Sequence, residues 1–237
     1  MKIITWNCQG AFRKKAEVIL ALQPDILIIQ ECEHLDKLVF NSKIQQPNHF
    51  LWFGDNKNKG LGIFSYGDYK FELLEEYNPD FKIVIPILVS KEQFSFTLFA
   101  IWANNPIDKD NRYIEQVWNA INNYDNLITK DKIILTGDFN SNKIWDRKHR
   151  IGNHSAVVDK LANKNIFSIY HNHLQEDQGK ESIPTFYLQR NKNKPYHIDY
   201  CFASEDILNK LINFEIGTYE NWISHSDHSP LIVDFNL

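Results

Sequence analysis

Four separate stretches of this chain are apolar along almost their whole length and end in polar residues. They are KIITWN (2–7), DILIIQE (25–31), KIILTGDFN (132–140) and YHIDYCF (196–202). A fifth reverses the order: Ser226-Asp227-His228 comes just before the run LIVDF (231–235). Runs this short fit strands, and a run without polar alternation fits a strand covered on both faces. Ends of such strands, drawn from distant parts of the chain, can converge on one edge of a core. Convergence would gather Asn7, Glu31, Asp138, Asn140, Asp199, Asp227 and His228. That set is hard oxygen donors plus one imidazole, suited to a divalent cation and a phosphate.

Between the first two runs, residues 12–22 (FRKKAEVILAL) carry apolar positions at helical spacing and read as an amphipathic helix ended by Pro24-Asp25. Strand, helix, strand favours a helix layer packed on a sheet. The middle is dense in strands, at 50–53, 60–65, 71–74, 81–89 and 94–102, separated by turn signals and read as consecutive antiparallel strands. Residues 113–124 read as a second helix, 132–136 as a strand and 156–162 as a third helix. Segments 166–170, 185–188, 196–203, 211–216 and 231–235 read as extended. No repeat, low-complexity tract or long linker divides the 237 residues. The expectation is one domain over residues 1–237, with two sheets face to face and helices outside.

Several function classes are disfavoured. No stretch approaches the roughly 18 apolar residues of a membrane span. The first residues, MKIITWNCQG, lack the features of a secretory signal, so a cytoplasmic location is expected. Cys8, Cys32 and Cys201 are too few and too widely spaced for a disulfide framework or a zinc site and read as buried thiols. The formal net charge of −4 argues against a long, non-specific duplex footprint, but leaves room for a local basic face. Two basic segments supply one. Residues 142–154 (NKIWDRKHRIGNH) contain Trp145 and Arg147, and residues 189–194 (QRNKNK) precede His197-Ile198-Asp199. Arginine and lysine beside an aromatic can hold phosphates and stack a base.

Singly, each motif has a bland reading. GDFN can be a turn with Asn140 as a helix cap, SDH a capping pair, and Glu31 a lone salt-bridge partner. The order is more specific. Trp6-Asn7, Gln30-Glu31, the glycine-led strand GLGIFS (60–65), GDFN, HIDY and SDH together resemble the endonuclease/exonuclease/phosphatase superfamily. That group includes exonuclease III-like repair nucleases, deoxyribonuclease I-like enzymes, inositol polyphosphate phosphatases and neutral sphingomyelinases. The resemblance runs from Trp6 to His228. It implies an α/β fold, a four-layer α/β/β/α sandwich of two mixed, mainly antiparallel sheets with helices outside. It also implies phosphodiester hydrolysis with Mg²⁺ or Mn²⁺ as cofactor. Glu31 matches the family's metal-binding glutamate and Asn7 the asparagine beside it. Asp138 matches the aspartate that orients or deprotonates the attacking water, and Asn140 the asparagine that holds water and phosphate. Asp199 matches the partner of the terminal histidine, Asp227 the last acidic residue near the metal, and His228 the histidine facing the phosphate. A histidine paired with a carboxylate would stay cationic there.

The chain departs from the repair nucleases at two points. Gln9 stands where they carry an aspartate, which removes a negative charge near the metal and weakens any second-metal site. Trp102 stands where they carry a tyrosine and has no hydroxyl to offer a phosphate; Asn105 could supply a polar contact instead. The His-Leu pair of the sphingomyelinase-like and deadenylase-like branches is absent. Tyr196, where repair nucleases place an aromatic lining the abasic-sugar pocket, and Trp222, shortly before SDH, are further candidates to touch substrate, with packing under loops as the alternative. His34, His49, His154, His171, His173 and His225 take no role. The leading reading is a nuclease acting on DNA or RNA. A hydrolase of a small phosphate ester (phosphoinositide, lipid head group or nucleotide) and an inactive nucleic-acid-binding relative are the alternatives. Nothing in the sequence fixes an oligomeric state.

Overall fold

In chain order the strands are β1 (Lys2–Asn7), β2 (Ile26–Cys32), β3 (His49–Asn56), β4 (Lys59–Ser65), β5 (Lys70–Leu73), β6 (Val84–Lys91), β7 (Phe94–Trp102), β8 (Ile133–Asp138), β9 (Ile166–Ser168), β10 (Phe186–Tyr187), β11 (Pro195–Tyr196), β12 (Asp199–Ser204), β13 (Leu211–Ile216) and β14 (Leu231–Phe235). They are taken from a computed structural model that describes residues 1–81, 83–105, 113–129, 131–147 and 151–237. One six-stranded sheet has the order β13-β14-β1-β2-β4-β3 and the other β5-β6-β7-β8-β12-β9, while β10 and β11 form a separate ribbon. The two central strands of each sheet, β1 with β2 and β7 with β8, are parallel. All other neighbours among the described residues are antiparallel. Helices α1 (Ala16–Leu20) and α2 (Ile114–Asn123) make the crossovers that the parallel pairs require.

Side-chain alternation explains the uninterrupted apolar runs. Ile3, Ile26 and Ile28 point into a core between the sheets, where they meet Ile85, Leu98, Ile134 and Cys201 of the second sheet. Their neighbours Ile4, Trp6, Leu27 and Ile29 point outward under Phe12, Ala16 and Ile19. On the far side Phe99, Ile101, Leu135 and Phe202 lie under α2 and α3 (His154–Ala162). Three apolar layers between four layers of secondary structure make the α/β/β/α sandwich. No helix among the described residues is long and apolar enough to cross a membrane.

Local structure departs from expectation in four places. Residues 12–22 are two short helices, because Lys15 leaves helical geometry (φ −124°) between a 3₁₀ turn at Phe12–Lys14 and α1. The break lets the Lys15 ammonium donate to the Cys8 carbonyl. Phe81 belongs to a turn (Pro79–Phe81) fixed by the Asn78 side chain, and β6 starts at Val84. Segment 166–170 is a strand only to Ser168, where helix α4 (Ile169–Leu174) begins; Ser168 Oγ lies 2.8 Å from His171 Nδ1. Residues 185–188 and 196–198 pair only briefly, in the β10–β11 ribbon. The dense middle divides between the sheets, β3 and β4 joining the first and β5 to β7 the second.

Gly137, in β8 beside Ile101, has φ 146°, and a Cβ there would lie 1.9 Å from the Ile101 carbonyl oxygen. This close approach sets the strand immediately before Asp138. Gly137→Ala is expected to cost more than about 2 kcal/mol, from left-handed strain and a backbone clash together. Urea denaturation of the variant measures this, and a loss under about 0.5 kcal/mol would contradict it.

Candidate active site

Parallel central strands end at one edge of their sheet, and their antiparallel neighbours begin there. β1 ends at Asn7 and β2 near Glu31, while β14 starts just after His228. In the second sheet β7 ends at Trp102 and β8 at Asp138, paired in register. β12 begins at Asp199, directly opposite Asp138. The sandwich lays these edges together. Asn7 Nδ2 donates to Asp138 Oδ2 (2.9 Å) and His228 Nδ1 donates to Asp199 Oδ2 (2.9 Å), so both bonds run from one sheet to the other. Asn140, itself left-handed (φ 49°), donates its backbone N–H to Asp138 Oδ1 (2.8 Å) and its side-chain amide to the Ala103 carbonyl (3.2 Å).

Asp138, Asp199 and His228 are buried, with one ligand atom from each lying within 4.8 Å of the others. Burial raises the Asp138 carboxyl to about 7, with Asp199 adding to the rise and His228, Asn7 and Asn140 opposing it. Burial acts against charge on His228, but Asp199 on its Nδ1, with Asp138 and Asp227 nearby, outweighs it and raises the imidazole to about 9. His228 is further fixed by Trp6, whose indole N–H donates to its carbonyl (2.9 Å), and by Phe186, whose ring centroid is 4.6 Å from the imidazole.

The other acidic residues form a more open half. Glu31 has a left-handed backbone (φ 58°) and a side chain 23% exposed, and its Oε2 lies 3.0 Å from Lys59 Nζ. Asp227 is raised above the usual carboxylate range, chiefly by burial, with Glu31 adding to the rise and His228 opposing it. Gln9 Nε2 donates to Asp227 Oδ2 (2.7 Å), and Gln9 Oε1 accepts from Arg190 Nη2 (2.6 Å). The neutral residue thus ties the basic 189–194 loop to an acidic site residue.

Among the candidate substrate contacts, Trp145 is 48% exposed and its ring lies 5.1 Å from that of Tyr196. Tyr196 faces Phe186 at 6.4 Å, so an aromatic series runs from the basic loop to His228. Arg147 and Asn105 are exposed, and residues 148–150 of the same basic loop lie outside the described residues. Trp102 carries Lys59 Nζ 5.5 Å above its ring. Trp222 is a correction: only 8% exposed, it packs edge-on against Trp6 at 5.3 Å and supports β1 instead of facing a ligand. His171 is held by Glu181 (3.0 Å) within a part-buried polar network, while His173 lies edge-on to Phe214 at 6.1 Å, so the His-Asn-His pattern does not converge on one point.

Sequence reasoning gave no role to several residues that position the site. Trp6 and Ser226 lie inside quoted motifs, and Ser226 Oγ donates to the Asn7 carbonyl (2.7 Å). Lys59 precedes the glycine-led strand. Thr185 carries no signal at all: buried, its hydroxyl oxygen accepts the N–H groups of Ile198 and Asp199 (3.0 Å each) and fixes where β12 starts.

A family model described as the Endonuclease/Exonuclease/phosphatase family matches residues 4–212. Among solved structures, the chain is similar to the 3′-5′ exonuclease NExo from Neisseria meningitidis (21% identity, 100% of each chain covered, TM-score 0.70). It is similar to an AP endonuclease from Archaeoglobus fulgidus (18% identity, 100% of each chain, TM-score 0.68). It also resembles the endonuclease domain of TRAS1, a telomere-specific non-LTR retrotransposon (14% identity, 100% of this chain and 98% of that one, TM-score 0.68). NExo has a further structure, as a 3′ phosphatase bound to product DNA hairpin. No curated protein sequence matches significantly. At these identities the solved structures establish the fold.

Thr185→Val keeps the side-chain shape but leaves the Ile198 and Asp199 N–H groups without their acceptor. It is expected to cost about 1–3 kcal/mol, the penalty for buried donors left unpaired. Denaturant midpoints of wild type and variant test this; coincident midpoints would remove Thr185 from the support of Asp199.

Proposed function

The chain belongs to the endonuclease/exonuclease/phosphatase family of phosphate-ester hydrolases, and we propose that it is a divalent-metal-dependent nuclease cleaving DNA or RNA. One catalytic unit over residues 1–237 and a cytoplasmic location complete the proposal; all three cysteines are free and buried, which suits a reducing compartment. The observation that carries the reading is the pairing of two unlike halves: the buried Asp138–Asp199–His228 group and the more open carboxylates Glu31 and Asp227.

The open half suits the ion. Mg²⁺ and Mn²⁺ favour one or two carboxylates and keep several waters, which Glu31 and Asp227 at a partly exposed rim allow. An ion there would neutralise a non-bridging phosphate oxygen and the leaving alkoxide. The buried half has its atoms engaged otherwise: Asp138 accepts from Asn7 and Asn140, and Asp199 from His228. That engagement favours proton transfer and orientation. Asp138, with a carboxyl near 7, is matched to accept a proton from an attacking water at neutral pH. Asn7 and Asn140 hold its two oxygens in place. His228, with Nδ1 committed to Asp199, has Nε2–H to donate to a phosphoryl oxygen, and its charge is kept by the carboxylates around it.

For the substrate, Trp145 and Tyr196 offer stacking faces beside Arg147, and Trp102 with Asn105 borders the site on the β7 side. Trp222, buried, is left out of this set. The similarity to NExo, bound to product DNA in one structure, is in keeping with a nucleic-acid substrate. A small phosphate ester is the second reading, favoured by the net charge of −4. The salt slope separates the two, steep for a polyanion held by several phosphate contacts and shallow for a small ester.

Cleavage of end-labelled single-stranded DNA, duplex DNA, abasic duplex and RNA with Mg²⁺ or Mn²⁺ tests the proposal. Asp138→Asn is expected to lower the rate by roughly 10²- to 10⁴-fold, the range for loss of a positioned base. Metal-dependent cleavage of none of these polymers would turn the reading to small esters. A pH profile gives a second check. Activity needs Asp138 deprotonated and His228 protonated, so kcat/KM should rise through an acid limb near 7 and fall through an alkaline limb near 9. A dication beside both groups would lower both limbs together. His228→Asn should remove the alkaline limb; a limb that persists would place that proton elsewhere.

A further inference from the structure

Among the described residues Lys59 is the cation paired with Glu31, and its ammonium sits between the Glu31 carboxylate and the Trp102 ring. It opens β4, paired with Asn56 across the β3–β4 turn. That turn is anchored to the end of β2: the His34 N–H donates to the Lys57 carbonyl (3.1 Å), and Lys57 pairs with Asp36. The Lys59 backbone is therefore held, while its side chain is 50% exposed and engaged only at its ammonium end. Nζ lies 3.0 Å from Glu31 Oε2 on one side and 5.5 Å above the Trp102 ring on the other. Trp102 pairs in register with Asp138 and lines a cavity of about 190 Å³ with Lys59, Phe53, Asn56 and Asn104.

We propose that Lys59 is an exchangeable counter-ion of Glu31, which a divalent cation displaces and which then anchors a substrate phosphate over Trp102. The inference rests on the metal reading of Glu31. A carboxylate facing an ammonium and a dication is drawn to the dication, and the two cations repel at this range. Trp102 has no hydroxyl to offer a phosphate, but its ring face can support an ammonium. Metal and substrate thereby become coupled through one side chain. Before the ion arrives Lys59 competes with it, and afterwards Lys59 supplies a positive charge next to the reacting phosphate.

The two roles predict opposite effects in one variant. In calorimetric titrations of Mn²⁺ into protein without substrate, Lys59→Met should bind the ion roughly two- to fivefold more tightly than wild type, the scale of an exposed ion pair. Lys59→Arg should stay within twofold of wild type, and Glu31→Gln should bind at least roughly tenfold more weakly. In Ca²⁺, with Asp138→Asn as the background to prevent cleavage, Lys59→Met should bind a short single-stranded oligonucleotide several-fold more weakly. The slope of log Kd against log salt should then fall by nearly one ion. If Lys59→Met leaves Mn²⁺ affinity unchanged or weakens it while Glu31→Gln abolishes binding, the counter-ion role is overturned and the metal reading stands. If Glu31→Gln binds Mn²⁺ as wild type does, the metal reading of Glu31 fails and this inference with it. Tighter Mn²⁺ binding with unchanged oligonucleotide binding would overturn the phosphate-anchor half.

Discussion

Everything at this sheet edge depends on how two carboxylates share a buried space. Asp138 and Asp199 face each other across the β8–β12 ladder, both buried. Two such charges repel each other and have lost their hydration, so the arrangement needs a compensating cation with good geometry. His228 is that cation. It reaches Asp199 from the opposite sheet, and its backbone is held by the Trp6 indole and the Ser226 hydroxyl. The same requirement explains why Asp138 accepts from two donors and why Thr185 fixes the start of β12. An orphaned oxygen or a shifted strand would leave an unpaired charge in the interior.

The two halves of the site answer different demands. In the buried half, burial and Asp199 raise the Asp138 carboxyl to about 7, while, against the effect of burial, Asp199 and its neighbouring carboxylates raise the His228 imidazole to about 9 and keep it charged. The open half, Glu31 and Asp227, keeps solvent access and is surrounded by basic groups. Lys59 lies on Glu31, and Arg190 is tied to Asp227 through Gln9. With Gln9 neutral, this half carries less negative charge than an additional aspartate would give it. The aromatic series from Trp145 through Tyr196 and Phe186 ends on the His228 imidazole, so the exposed indole and the buried imidazole share one packed surface.

The central strands were legible because covering both faces leaves a mark that propensity cannot blur. The runs at 2–7, 26–30 and 231–235 are apolar at both parities, and each lies between two cores. The polar ends of those runs were legible as an abrupt change of residue type, although Asn7, Gln30 and His228 are themselves buried. The break at Lys15 was not: the apolar spacing of 12–22 continues through it, and nothing local marks the residue that leaves helical geometry and donates to the Cys8 carbonyl. Thr185 was invisible, because a hydroxyl that accepts N–H groups from residues 13 and 14 positions later has no local pattern. Trp222 misled through proximity to SDH, since nearness in sequence does not say which way an indole faces. Lys59 acquires its meaning only when the β3–β4 turn comes to rest against the end of β2.

The position of β14 has a consequence for the life history of the protein. It lies between β13 and β1 in the first sheet, yet it follows every other strand of both sheets in chain order, and the Trp6–His228 bond joins residues 222 positions apart. Until β14 inserts, β1 has an unpaired side, His228 is absent from the edge, and Asp138 and Asp199 have no cation between them. A ribosome-bound chain therefore carries strands with an open edge and an unfinished catalytic centre. The buried Asp138–Asp199–His228 group is completed in the same step that pairs the open side of β1.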